Sequence, residues 1–380
     1  MSIRAAFLVI TWAFWIASAV AGDAPANLGS SNTGATFIHG GDSASKGRDT
    51  DEVVDPNKAF QQRAFVDYQR SVSEALRTSS DPRDWALGAV MQPFWDVNEL
   101  VAGIGGLTPE RRESLARASY AAPDDALIQW LALSHTDKSS GSPSQSIASL
   151  SALLRLEPDN AAAWMEALNQ AWGAKDEPGI DDALAHMAAS PRYNDHFSEL
   201  MDAWIQVYEH HPLPDDTAEP QPHAKDMMIF TLALSQATAS ALPRFSTLTN
   251  ACRINSETAA NWARSTACAD IGHLMAQHAT TLLSRMMGFA VLRLAGSATD
   301  EDARQARDLH WLFDQHGKLA SSELEKPDAM LAYTNDWRTT GDEIQVVRRE
   351  LERAGVPIFA PTQWIDPRPL ISSSYCSTNQ

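Results

Sequence analysis

Trp130 and Trp164 lie 34 residues apart, and each opens a helix-like stretch shortly after a Pro-Asp pair. The first stretch reads Pro123-Asp-Asp-Ala-Leu-Ile-Gln-Trp130 and the second Pro158-Asp-Asn-Ala-Ala-Ala-Trp164. A period of this length has room for two helices and the turns around them. One such hairpin cannot bury its apolar face alone, so units of this kind stack on their neighbours. The expected fold is all-α: antiparallel helical hairpins stacked into an α-solenoid or an irregular helical superhelix. The usual work of that architecture is holding other proteins rather than chemistry.

The rest of the chain reads as helix too. Ala, Leu, Glu, Asp and Arg dominate, and Val, Ile and Thr rarely occur in runs, a balance that favours helix over strand. Phe60, Ala64, Tyr68, Val72 and Leu76 recur at a spacing of four, the mark of an amphipathic helix. Asp81-Pro82 and Thr108-Pro109-Glu110 are helix starts, a capping residue followed by proline in the first turn. From Pro123 to His211 the spacing predicts helices over Ala126–His135, Ser144–Leu156, Asn160–Gly173, Ile180–Ala189 and Tyr193–His210. Prolines at 212, 214, 220 and 222 then rule out helix. Beyond them the pattern predicts helices over Ala224–Ala241 and Ser256–Ser265, one long helix over Cys268–Leu294, and three more over Asp300–His316, Asp328–Thr339 and Asp342–Ala354.

The start of the chain carries a different signal. Met1-Ser-Ile-Arg4 is basic, Ala5–Val20 is apolar apart from Thr11 and Ser18, and Ala19-Val20-Ala21 offers small residues at a cleavage site. These are the three regions of a secretory signal peptide in order. The run is shorter than the roughly 20 residues needed to span a bilayer. The domain reading is therefore a signal peptide at 1–21, a Gly/Ser/Asn-rich flexible leader at 22–54, an N-terminal helical half at 55–211, a Pro-rich linker at 212–222, a C-terminal helical half at 223–356, and an extended or disordered tail at 357–380. The mature protein is expected in a periplasmic or otherwise secreted location, with no membrane span once the signal is removed. The formal charge of −18 becomes about −19 when Arg4 leaves with the signal. Such an acidic surface repels nucleic acid and anionic lipid.

The stretch 127–192 resembles the tetratricopeptide family. With Trp130 as the aromatic of the first unit, Leu133, the small Ser134, Leu150 and Pro158 fall at the family's positions; Trp164, Ala167, Leu184, Met187 and Pro191 fall at or within one residue of them in the second. Leu168 departs from the pattern, standing where a small residue is usual, and Asp176-Glu-Pro-Gly179 occupies the second turn. The resemblance implies a partner groove lined by the first helix of each unit, with His135, Met165, Asn169 and Trp172 facing it. It also implies a buried Trp164, wedged between its own second helix and Ser144–Leu156 with Leu150, Leu153 and Leu184 as neighbours.

Cys252 and Cys268 bracket fifteen residues, and in an oxidising compartment they are expected to form a disulfide, leaving Cys376 over. Closing a loop of that size contributes roughly 3 kcal/mol. No catalytic, cofactor or metal residue stands out. Gly103-Ile-Gly105-Gly106 follows no strand pattern, so it is not read as a dinucleotide loop. Ser43-Ala-Ser-Lys46 lies in the leader. His273 and His278, like His310 and His316, point to different faces of a helix, and His210-His211 suits a helix C-terminus. The functional expectation is an extracytoplasmic scaffold for a protein or peptide partner in a bacterial envelope. The rival is a secreted helical enzyme acting on a glycan or cell-wall polymer, which would need two carboxyl groups about 5–10 Å apart in a Trp-lined cleft.

Overall fold

The computed structural model describes residues 56–91, 107–135, 143–214, 224–241, 243–253, 259–320 and 327–367. The expected signal peptide, leader and Gly103–Gly106 loop, most of the Pro-rich stretch, the last residues of the tail and Cys376 lie outside them. Among the described residues there are fifteen α-helices and no strand. In chain order they are α1 Pro56–Thr78, α2 Pro82–Val90, α3 Pro109–Ala121, α4 Ala126–Ser134, α5 Pro143–Leu156, α6 Ala161–Ala174, α7 Glu177–Ala189 and α8 Phe197–His210. Then come α9 Ala224–Ala241, α10 Phe245–Ala251, α11 Ala259–His278, α12 Leu282–Leu294, α13 Asp300–Ala320, α14 Pro327–Thr340 and α15 Glu343–Arg353.

Short polar residues start these helices by satisfying their free N–H groups. The side chains of Asp81, Thr108, Asp125, Asn160, Asp176, Thr281 and Asp342 each accept a backbone N–H from the first turn. Asp176 corrects one boundary. The Asp-Glu-Pro-Gly run expected in a turn is the start of α7, with Pro178 in the first turn, where a missing N–H costs nothing. Conversely, Tyr193–His196 is irregular and α8 begins only at Phe197, with His196 at φ 57° before it.

Helix pairing is mostly local: α4 with α5, α6 with α7, α8 with α9, α11 with α12, α14 with α15. The 34-residue period appears as contact between turns. Asn160 Oδ1 accepts from Asn194 N (2.9 Å), Asn160 Nδ2 donates to Asn194 O (2.9 Å), and Ala161 N donates to Arg192 O (2.9 Å). The packing follows the irregular form rather than a strict neighbour-to-neighbour stack. Helix α9 touches α4 and α14, and α7 packs along α11.

Three apolar clusters hold these helices. The first joins α1–α4 to α8, α9 and α14; the second joins α4–α7 to α10–α12; the third joins α11–α13 to α15. Helix α4 serves two of them. Leu127, Ile128 and Leu131 face the first and Trp130 and Leu133 the second, which is why the helix is apolar all round. Both large clusters take residues from either side of the Pro-rich stretch, so the two halves share their packing.

Two further corrections concern the second half. The long helix expected over Cys268–Leu294 is broken at 279–281, where Thr281 caps a new helix, and α11 starts earlier, at Ala259. The resulting hairpin crosses closely at two glycines. A Cβ on Gly288 would sit 2.5 Å from Ala276 N and 2.8 Å from Gly272 O, both backbone atoms. Gly288→Ala is therefore expected to force α11 and α12 apart and cost about 1–3 kcal/mol despite alanine's better helix propensity. Urea melts check this, and a variant as stable as the parent would show that the crossing is looser than described. Helix α10, which the sequence reading did not anticipate, occupies the space beside α6.

Among the described residues after α15, 354–367, there is no regular structure, but this segment is held against α13. Arg307 donates to the carbonyls of Ala360, Pro361, Thr362 and Trp364. Trp311 Nε1 donates to Pro357 O (2.7 Å), and Ala360 N donates to Asp308 (3.0 Å).

Candidate functional site

Cys252 and Cys268 are joined as a disulfide, with Cα atoms 5.6 Å apart. Cys252 ends α10 and Cys268 lies in α11, and both sulfurs are buried in the second cluster. The bond ties α10 to α11 and fixes α10 where it lies on α6.

That position of α10 decides the fate of the expected groove. Met165 and Asn169 are buried, at 2% and 5% exposure, rather than open to solvent. Phe245 and Leu248 of α10 join the same cluster as Met165, and Arg244, just before α10, pairs with Glu166 at 3.5 Å. Asn169 Nδ2 donates to Glu166 Oε2 at 3.0 Å. His135 caps the end of α4, its Nδ1 3.2 Å from Leu131 O. Burial, and to a lesser degree the nearby Arg111 and Arg244, lowers its pKa to about 4. It is thus a neutral side chain at neutral pH. Of the four residues only Trp172 presents a large surface to solvent, at 37%. The face that the resemblance would leave open on α6 is covered by the chain itself.

Trp164 also differs from expectation. It is half-buried rather than wedged, stacked on His186 of α7 with ring centroids 3.9 Å apart, and its Nε1 donates to Pro158 O (3.0 Å).

The histidines divide among separate carboxylates. His310 pairs with Asp366, His316 Nδ1 lies 2.6 Å from Glu350, and His273 Nδ1 lies 3.8 Å from Asp302. Among the described residues no three His, Cys, Asp or Glu side chains cluster as metal ligands.

Two buried polar junctions were not foreseen. In the first, His196 is buried between Glu157 and Glu199, with Nε2 and Nδ1 each 3.1 Å from a carboxylate oxygen. Burial opposes its charge, but the two carboxylates outweigh that and raise its pKa to about 9. Glu157 also receives Asn160 Nδ2 (2.8 Å) and lies 3.4 Å from Arg192; its pKa falls to about 2 although burial works the other way. In the second, the N-terminus of α12 receives two carboxylates. Asp195 accepts from Ser284 Oγ (2.7 Å) and Thr281 Oγ1 (3.3 Å), and Glu343 accepts from Leu282 N (2.7 Å). Burial raises both pKa values, that of Glu343 to about 7. The sequence did hold a signal for the first: Asn194 and Asp195 are residue types that favour turns, and His196 is of a type that enters the left-handed region more often than most. Both junctions are filled by their own partners, so they join elements rather than receive a ligand.

An open pocket lies elsewhere, where α8, α9 and α14 meet. It encloses about 140 Å³ and is lined by Ile205 and Glu209 of α8, Asp226, Ile229 and Phe230 of α9, and Leu331, Thr334, Asn335 and Arg338 of α14. Apart from the buried Thr334, the less exposed lining residues are apolar and the exposed ones polar, and Glu209 pairs with Arg338. No Trp is among its lining residues.

These features define an all-helical, disulfide-linked protein with a small amphipathic pocket. No protein-family model, no curated protein and no solved structure matches the chain. Among the described residues no helix is long and apolar enough to cross a membrane.

Proposed function

We propose that this is an extracytoplasmic helical scaffold, distantly tetratricopeptide-like over 127–192, that binds a protein or peptide partner in a bacterial envelope. The observation that carries the reading is the pocket between α8, α9 and α14. An apolar floor with a few polar groups at its rim is the usual composition of a recognition site. Its volume suits a single anchoring side chain: an apolar cavity of about 150 Å³ accepts a molecule the size of benzene. The binding face thus lies on the α8, α9 and α14 side of the molecule, not on α6. The secretory pattern at the N-terminus and the Cys252–Cys268 bond support an oxidising, extracytoplasmic location.

Site-specific photo-crosslinking tests the reading. A photoreactive phenylalanine analogue at Asn335, on the pocket rim, is expected to give a discrete protein adduct in cells. The same group at Glu352, exposed on α15, is expected to give none. Equal adducts from both positions, or none from Asn335, would remove the pocket from the binding face.

A further inference from the structure

The charges that line the pocket are already spent within the chain. Glu209 is paired with Arg338. Asp226, in the first turn of α9, has an interaction of its own. The Thr334 hydroxyl donates to Met330 O at 2.9 Å within α14. An incoming cation would have to draw Glu209 from Arg338 or Asp226 from its partner, and an incoming anion would have to draw Arg338 from Glu209. Neither exchange adds an ion pair, and a charged group held among apolar side chains without a partner is costly. An uncharged apolar side chain meets no such cost against Ile205, Ile229, Phe230 and Leu331, which come from all three helices. One lining residue keeps hydrogen-bonding capacity to spare. Among the described residues the Asn335 carboxamide has no hydrogen-bond partner, while the Asn335 backbone carbonyl accepts from Thr339. A carboxamide offers an acceptor oxygen and two N–H donors, the complement of a peptide group.

We propose that the pocket between α8, α9 and α14 takes an uncharged apolar side chain, of leucine to phenylalanine size, from a partner segment whose backbone hydrogen-bonds to Asn335. The side chain packs on Ile205, Ile229, Phe230 and Leu331, and the Glu209–Arg338 pair stays closed. Because a helix satisfies its own peptide groups, the segment that meets Asn335 is not helical there. This inference rests on the binding reading above and adds the chemistry of the partner's anchor and the residue that positions it. No ion pair is exchanged, so binding is insensitive to salt, unlike that of a basic or acidic anchor. A photoreactive group at Asn335 gives up one hydrogen bond but keeps the apolar contacts that hold the partner.

Methyl NMR on the full chain with labelled isoleucines tests this, since Ile205 and Ile229 both line the pocket. The probes are the N-acetyl methylamides of leucine, lysine and glutamate. The leucine compound is expected to shift the Ile205 and Ile229 methyls saturably, with the same affinity at low and high salt. The lysine and glutamate compounds are expected to bind about ten-fold more weakly or not at all. In Asn335→Ala the leucine affinity is expected to fall about five-fold, the effect of one neutral hydrogen bond. Alanine suits this exposed helical position, and unchanged methyl signals from Ile128, Ile180 and Ile344, all buried in the three clusters, would show that the variant is folded. Lysine or glutamate binding as tightly as leucine, or leucine binding that weakens with salt, would overturn the uncharged anchor while leaving a peptide-binding pocket. Unchanged leucine affinity in Asn335→Ala would overturn the backbone contact. Failure of all three probes to move Ile205 or Ile229 would overturn the pocket reading as well.

Discussion

Replacing Trp204 by alanine is expected to lower the unfolding free energy by about 3–5 kcal/mol, as for other large aromatic deletions in a packed core. Trp204 is fully buried in the first cluster, stacked with Tyr208 at a centroid distance of 6.1 Å. Its helix shares that cluster with α1–α4, α9 and α14, so the deletion would leave a cavity inside the packed core. Trp164→Ala provides the comparison. That ring is half-buried and stacked on His186, so its removal is expected to cost only about 1–2 kcal/mol. Urea denaturation of the two variants checks the order. Should Trp164→Ala prove the more damaging, the second unit would be wedged as the 34-residue period alone suggests, and the packing described for α5–α7 would be wrong. If Trp204→Ala does not fold, Trp204→Leu gives the same comparison with a smaller cavity.

Stability is also expected to fall as pH rises from about 6.5 to 9, by on the order of 3 kcal/mol, and the His196 junction is responsible. His196 has its folded pKa raised to about 9 from an ordinary value near 6.5. The folded state therefore holds a proton that the unfolded chain has released, and the stabilisation is complete below the unfolded pKa and lost through the folded one. The groups facing it are Glu157, Glu199, Arg192 through Glu157, and Arg83 through Glu199. His316, whose pKa is also raised, despite its burial, by Glu350 beside it, acts in the same direction. On the acid side Glu157 reverses the trend. Its folded pKa is lowered to about 2, so its contribution is present above the ordinary carboxylate range and lost as pH falls toward 2. Between those limits two groups oppose each other. Glu343, raised to about 7, favours the folded state at lower pH, whereas His135, lowered to about 4, favours it at higher pH. A plateau from roughly pH 4.5 to 6.5 follows, with loss on both sides. Chemical melts at a series of pH values measure the profile. His196→Asn keeps a residue type tolerant of positive φ and is expected to be less stable at pH 6 but flatter between 6.5 and 9. A variant with the parent's alkaline slope would place the titration elsewhere.

Much of the secondary structure was legible in the chain. Capping residues with proline behind them, as at Asp81 and Thr108, mark helix starts because they satisfy N–H groups that no helix can satisfy itself. Periodic apolar residues mark which face is buried, and the cysteine spacing marked the bond that joins α10 to α11. The turns around Asn160 and Asn194, also 34 residues apart, are in hydrogen-bonding contact.

What the sequence could not determine was which buried face meets which. Apolar periodicity reports that a surface leaves water, not what covers it, because the hydrophobic effect is non-directional. Met165 and Asn169 read as groove residues until α10 covered them. The apolar period ran through Ala279–Thr281 without a glycine or proline to mark the break, and only the close crossing at Gly272 and Gly288 required a hairpin there. The pocket depends still more on tertiary structure. Ile205, Ile229 and Leu331 come from three helices spread over more than a hundred residues, and none of them signals a site by itself. The local code set where helices begin, end and hide a face; the packing of those faces against distant helices decided what stayed open, because only the folded chain brings such distant surfaces together.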